Sequence, residues 1–422
     1  MESRPLLFPQ KLHFSCHMCS GCCRNWDVRV SQAEVDRFRD HDWKSTRPRF
    51  EGREILEDAG NGLQKLAHVE DACIFLDEDN LCAIHKELGA DAKPFMCKHF
   101  PYHLTDTPEG VIVSLDFGCP TVVADEGAPI ESHAGDVRAR IEEWGEVGAH
   151  LRLGMPLATL SAGEPRVEAR KRAPLGWADY LVLEEGFFRL LKDGEQTLTE
   201  RLLLLDALAT GAVAHTAPGE MSGWVDSLAD ASWEPLRSPA PRVSPLRQRA
   251  LVAPIVASIE ERWGKQLSGA KGSGGARVSL GLALTASSSA VTLPTSDGAT
   301  LRLPRMLRTR FAQDDPDLIA PIVRFLIAFI ARKGLVTGTT LLQGSRHLAL
   351  YFAIIRWYSV ARAVLAEREA VEPADVRYAL MFVEKTLSHS PALKQPRFMA
   401  LINFLFDRFA PARSLYPSTY PN

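Results

Sequence analysis

The chain has 422 residues, 46% hydrophobic and 24% charged, the composition of a soluble globular protein with room for two or three domains. Its 49 basic and 52 acidic residues leave a formal net charge of -3. That lacks the basic footprint of a duplex binder, so no nucleic-acid partner is expected.

In chain order, the N-terminal stretch MESRPLLFPQKLHF carries neither the long apolar run nor the small-residue cleavage site of a secretory signal. Cysteines then crowd one segment. All eight (Cys16, Cys19, Cys22, Cys23, Cys73, Cys82, Cys97 and Cys119) precede residue 120, and the rest of the chain contains none. Within this segment, Ser31-Gln32-Ala33-Glu34 reads as a capping box that opens a helix, with Val35 and Phe38 on one face. Residues 74–76 and 111–115 read as short strands, the second after a Pro108-Glu109-Gly110 turn. Much of the remaining segment is expected to be loop, which suits ligands fixed by a metal rather than by a large apolar core.

From about His133 helical spacing takes over. Residues 136–151 read as a helix and 156–174 as a partly basic connection, whose run RVEARKR (166–172) is taken as a solvated helix face. Residues 175–192 and 197–209 read as helices, the second with a broad apolar face from Leu202, Leu203, Leu204 and Leu205. Pro235, Pro239, Pro241 and Pro245 then break any helix around them. A Gly/Ser-rich insertion near 265–304 lacks the strand–loop–helix context and Gly-Lys-Ser/Thr ending of a phosphate cradle. It is expected to be a mobile loop followed by a small hairpin. Helices follow over 318–333, 347–368, 373–387 and 396–409.

Arg324 interrupts the apolar run 318–330, and Arg356 and Arg362 interrupt 348–365. Neither offers the ~18 uncharged residues of a membrane span, so both are expected to be buried amphipathic helices, with no membrane partner. The expected compartment is the cytoplasm, where thiols stay reduced and ligation is favoured over disulfides. The predicted fold is mainly α. A cysteine-rich, loop-rich metal or iron–sulfur domain with short strands covers 1–125, and an α-helical domain covers 126–422.

Soft thiolates select zinc, copper(I) or iron–sulfur clusters. Cys16, Cys19 and Cys22 are spaced by two residues, so one loop can wrap three thiolates around a centre while a remote cysteine completes it. Cys119, followed by Pro120, is the candidate for that remote ligand. The same spacing suits tetrahedral zinc, so cluster and zinc both stay open. Cys22 and Cys23 are adjacent and point apart in most backbones, which lets one loop feed two centres. Cys23 with Cys73, Cys82 and Cys97 then makes the second four-thiolate set. His13, His17, His85, His99 and His103 gather in the same segment as surface, supporting or substitute ligand groups. Lys98, Arg24 and Arg29 are candidates to offset thiolate charge, and Trp26 and Tyr102 adjoin candidate ligands.

The motif Cys16–Cys23 resembles the CxxCxxCC motif of the YkgJ-like cysteine-cluster family of zinc- or iron-chelating proteins. CCRNWDVRVS (22–31), NLCAIHKELG (80–89), MCKHFPY (96–102) and SLDFGCP (114–120) follow in the order seen in flagellin lysine-N-methylases of the FliB type. TLTERLLLLDAL (197–208) and FVEKTLSHS (382–390) resemble helices of the same proteins. The resemblance implies a [4Fe–4S] cluster and S-adenosylmethionine-dependent methylation of lysine side chains on a protein substrate. No glycine-rich fingerprint for the methyl donor is present, and no residue pair stands out as the catalytic base. A metal-binding or redox-sensing protein whose helices dock a partner, or a structural zinc domain on a helical scaffold, is the alternative.

Overall fold

The structure, a computed structural model, describes residues 4–147 (except 25, 48, 49, 61 and 71), 166–236 (except 171 and 216–218), 292–294 and 300–385. The expected glycine-rich loop and the helix at 396–409 lie outside the described residues. The chain divides into two compact units, Met1–Thr159 and Leu160–Asn422, and the architecture is mainly α with the short strands concentrated in the first unit.

In the first unit, Tyr102–Thr107 and Gly110–Leu115 form an antiparallel hairpin, and Leu6–Leu7 adds in parallel to its second strand. The turn requires Gly110. Its φ is +156°, and a Cβ there would lie 2.4 Å from the Pro5 carbonyl oxygen. A second antiparallel sheet orders Arg29–Val30, Leu63–Leu66 and Leu56–Gly60. This sheet was not legible in the sequence, because LEDAG and LQKL show no clean apolar alternation.

The capping box at Ser31 forms as read. Glu34 N–H donates to Ser31 Oγ at 3.4 Å, and Glu34 Oε2 accepts the Ser31 N–H at 2.6 Å. The other Glu34 oxygen accepts the Phe95 N–H at 2.6 Å, so this buried carboxylate also ties helix Gln32–Asp40 to helix Phe95–His99. Val35 and Phe38 are buried as expected. Phe38, Trp43 and Phe50 surround Phe75 at ring separations of 5.7, 4.8 and 5.4 Å, and the Trp43 indole N–H donates to the Phe38 carbonyl at 2.9 Å. The strand expected at 74–76 is displaced. Ala72–Cys73 is the strand, Ile74 and Phe75 turn, and Leu76 makes a single bridge to Cys82.

In the second unit, the basic run expected on a helix face is instead the strand Arg166–Arg170, paired with Ala173–Gly176. The physical reason is period two: Val167 and Ala169 are buried, while Glu168 and Arg170 are exposed. Helix Trp177–Lys192 packs against Leu198–Ala212, Glu220–Asp230 and Pro316–Ala331. Glu220–Asp230 was not foreseen. The Thr197–Glu200 pair forms a capping box, and the expected small hairpin appears as Thr292–Pro294 against Thr300–Arg302.

The helix expected at 347–368 runs over Leu341–Leu365, begun by a Thr340–Gln343 capping box. It is buried on nearly all sides rather than amphipathic, because Leu198–Ala212, Pro373–Val383 and Arg166–Arg170 all pack on it. By length and composition it could cross a membrane, but 72% of its most apolar window is buried inside the structure. Its arginines are accommodated by neighbours. The Arg356 guanidinium lies 5.5 Å from the Phe311 ring centre, and Arg362 lies 4.1 Å from that of Tyr378. At Gly344 the helix meets the Leu335 backbone so closely that a Cβ would fall 2.1 Å from its carbonyl oxygen.

Candidate metal centre

Six of the eight thiols sit at the end of, or within, a short element, while Cys16 and Cys19 lie in the loop before Gly21. Cys22 and Cys23 lie in the 3-10 turn Gly21–Cys23, and Cys73 ends the strand Ala72–Cys73. Cys82 and Cys119 immediately precede helices Ala83–Leu88 and Pro120–Ala124, and Cys97 lies inside Phe95–His99. Such elements are too short to hold themselves, so side-chain and loop contacts set their positions.

The loop carrying Cys16, Cys19, Cys22 and Cys23 turns sharply. Met18 and Ser20 both adopt left-handed φ, at 52° and 60°, and the Cys23 N–H closes on the Ser20 carbonyl at 2.9 Å. Four contacts anchor it. Ser20 Oγ and Arg24 Nη2 donate to Asn80 Oδ1 at 3.4 and 3.2 Å, beside Cys82. An antiparallel bridge joins Arg24 to Ala72, beside Cys73. Pro120 packs on Gly21, where a Cβ would lie 3.1 Å from Pro120 Cγ and 3.7 Å from Cys19 Sγ.

These anchors create two thiol neighbourhoods. In the first, the neighbouring Cys23 thiol and then burial raise the Cys22 thiol far above its ordinary range. Burial pushes the Cys97 thiol up, and the sulfurs of Cys73, Cys22 and Cys82 add to this in that order. Lys93 opposes the rise at both Cys22 and Cys97. Cys73, Cys82 and Cys97 also pack on one apolar core, with Trp26 and Met96. In the second neighbourhood, burial raises Cys119 and the Cys19 thiol adds to it, while Thr121 and backbone N–H groups oppose. Cys19 and Cys16 are exposed at the outer end of the loop, and Cys119 is buried.

All eight cysteines are free thiols. Among the described residues, no three His, Cys, Asp or Glu side chains are arranged to hold a metal ion. The donor chemistry fits a soft or borderline metal. Sulfurs that oppose one another's ionisation are what a bound cation relieves, and sulfur-only donors favour zinc or an iron–sulfur cluster.

Other residues singled out in the sequence do different work. Lys98 pairs with Glu143, and the Arg29 N–H donates to Met96 Sδ at 3.2 Å. Trp26 lies tilted against Phe100 at a ring separation of 5.1 Å, and its carbonyl contacts His68 Nε2 at 3.2 Å. Tyr102 hydrogen-bonds His133 Nδ1 at 2.7 Å, and burial pushes its hydroxyl up to about 12. His13 and His17 face Asp125 and Glu126, at 3.1 and 3.6 Å. Burial, then the Arg140 charge, pull His99 down to about 4; its ring stacks on Phe95 and lies tilted against Trp144. Lys93 and Asn80 were missed as site residues. Asn80 stands inside the NLCAIHKELG motif, but nothing in the sequence marks Lys93.

A family model named CxxCxxCC, described as "Putative zinc- or iron-chelating domain", matches residues 15–119. A flagellar biosynthetic protein, FliU of Salmonella muenchen, is 32% identical over 118 residues that make up 70% of its length. The chain belongs to the CxxCxxCC family. Two proteins named lysine-N-methylase, from Salmonella choleraesuis (strain SC-B67) and Salmonella typhimurium (strain LT2), are 31% and 30% identical over 118 and 115 residues. The match spans 29% of each methylase, well under two thirds, and 26% and 25% of this CxxCxxCC chain. No solved structure matches it.

Proposed function

We propose that this chain is a protein-lysine N-methylase-like enzyme that uses S-adenosylmethionine and carries a [4Fe–4S] cluster in its cysteine unit. The observation that carries this reading is the similarity to two proteins named lysine-N-methylase, in a chain whose thiols all gather in one unit. Thiolates drawn from Cys16, Cys19, Cys22, Cys23, Cys73, Cys82, Cys97 and Cys119 hold the metal. A centre held there would balance part of the thiolate charge and, as an iron–sulfur cluster, would supply a one-electron couple. Lys93 offsets thiolate charge, while Asn80 and Pro120 hold the loop in register.

Methyl transfer itself needs little chemistry from the chain. The target ammonium loses a proton, and the amine nitrogen bonds to the methyl carbon as its bond to sulfonium sulfur breaks. Rate then depends on aligning amine and methyl group. The partner is a protein bearing the target lysine, and eight free thiols suit a reducing cytoplasm.

The test is to incubate the full chain, purified without oxygen, with labelled S-adenosylmethionine and either flagellin or polylysine as acceptor. The expected result is label on lysine side chains, lost in a Cys97→Ser variant. If the iron-loaded chain neither binds the methyl donor nor labels any lysine, the enzyme reading is wrong. A second reading then takes its place: a zinc- or iron-binding protein with a structural or redox-sensing cysteine unit and a partner-docking helical unit. The confinement of the family match to residues 15–119 favours it.

A further inference from the structure

The anchoring contacts carry the site further than its residue types do. The Arg24–Ala72 bridge and the Ser20 and Arg24 hydrogen bonds to Asn80 draw Cys22 toward Cys73 and Cys82. Those two thiols share an apolar core with Cys97. The Pro120 ring, packed on Gly21 next to Cys19, instead draws Cys119 toward the outer end of the loop. Spacing alone places Cys22 with Cys16 and Cys19, whereas the fold turns it toward the other set.

We propose that the thiols form two centres of unlike coordination, a closed one and an open one. Cys22, Cys73, Cys82 and Cys97 make the closed centre. Cys16, Cys19 and Cys119 make the open one, whose remaining coordination position takes a small nitrogen or sulfur donor from solution. This partition rests on the metal-binding reading of the cysteine unit.

Exposure separates the two. The four thiols of the closed set are all partly buried, and three of them line an apolar core that excludes water. In the open set Cys16 and Cys19 are exposed, and the intervening Met18, held in a left-handed conformation, is 56% exposed. A three-ligand centre facing solvent has the form of reactive metal sites, whereas four protein ligands make structural ones. Cys23 belongs to neither set. It shares the 3-10 turn Gly21–Cys23 with Cys22, the place of a group that supports a ligand from outside the coordination sphere.

The test is titration of the full-length, reduced, metal-free chain with cobalt(II), whose thiolate complexes are coloured whichever metal is native. Two equivalents per chain are expected. Cys97→Ser and Cys119→Ser should each lower uptake to one equivalent, Cys19→Ser should behave as Cys119→Ser, and Cys23→Ser should keep two. Imidazole should shift the spectrum of wild type and of Cys97→Ser but leave Cys119→Ser unchanged. Far-UV circular dichroism confirms that each variant is folded, and Cys19→Ser substitutes for Cys119→Ser if the latter is not. Uptake of one equivalent by wild type, or no response to imidazole, overturns the partition and leaves metal binding intact. No uptake at all overturns both.

Discussion

The two units of this chain use polar side chains in different ways. In the helical unit two buried cations are already paired. Arg332 forms a two-pronged pair with Glu384 at 2.7 and 3.2 Å, with 3% and 0% of the side chains exposed. Lys333 pairs with Glu184, which also accepts the Tyr180 hydroxyl at 2.7 Å, and the Lys333 ammonium lies 5.3 and 5.5 Å from the Trp177 and Tyr180 ring centres. The cysteine unit has ion pairs too, such as Arg47 with the buried Asp77, but it also carries eight free thiols, of which Cys97 and Cys119 are pushed up by burial and by neighbouring sulfurs. The helical unit closes its two buried cations on its own carboxylates; the thiols are donors that suit a soft cation.

Stripping metal breaks this comparison most strongly. A chelator under reducing conditions should cost the cysteine unit a large share of its stability, on the order of several kcal/mol. Near-UV circular dichroism should report loosening around the Phe75 ring cluster, while far-UV helical signal persists. Equal loss of both signals would contradict the difference between the units.

The complementary break is Arg332→Met, which takes a partner from a carboxylate with no exposure. The expected cost is about 3–5 kcal/mol, read as a lower midpoint for the helical signal in urea, with metal content unchanged. Replacing Glu384 by Met in the same chain should recover most of it, because two apolar side chains leave no buried charge. A smaller effect sharpens the comparison. Ser31→Ala removes the cap of Gln32–Asp40 and should cost about 1 kcal/mol, without changing metal content. A Ser31→Ala loss of metal would mean that this helix, and not the loop anchors, positions the thiols.

What the sequence made legible was local. Ser31 and Glu34 are three residues apart and bond each other, so their pattern is their structure. The position of the apolar helices was legible for the same reason, and so were the starts at Thr197 and Pro373. Thr340–Gln343 follows the same capping rule as Thr197–Glu200, yet the apolar run further on drew that helix start to 347 instead of Leu341. The Arg166–Arg170 strand was hidden by its charges, although Val167 and Ala169 alternate with them. At the site, sulfur chemistry could be read from residue type and the likeness to the CxxCxxCC family. What lies beside the Cys22 loop could not, because it is set by a bridge between Arg24 and Ala72, far apart in the chain. Lys93 acts on the thiols only through the fold.

The most direct measurement is iron and acid-labile sulfide per chain in protein purified without oxygen, with zinc measured on the same sample. Iron and sulfide in equal, whole-number amounts, lost on chelation together with the near-UV signal of the cysteine unit, is the expected result. Zinc alone would contradict the iron–sulfur assignment, and a metal-free chain with a fully ordered cysteine unit would contradict the metal centre itself.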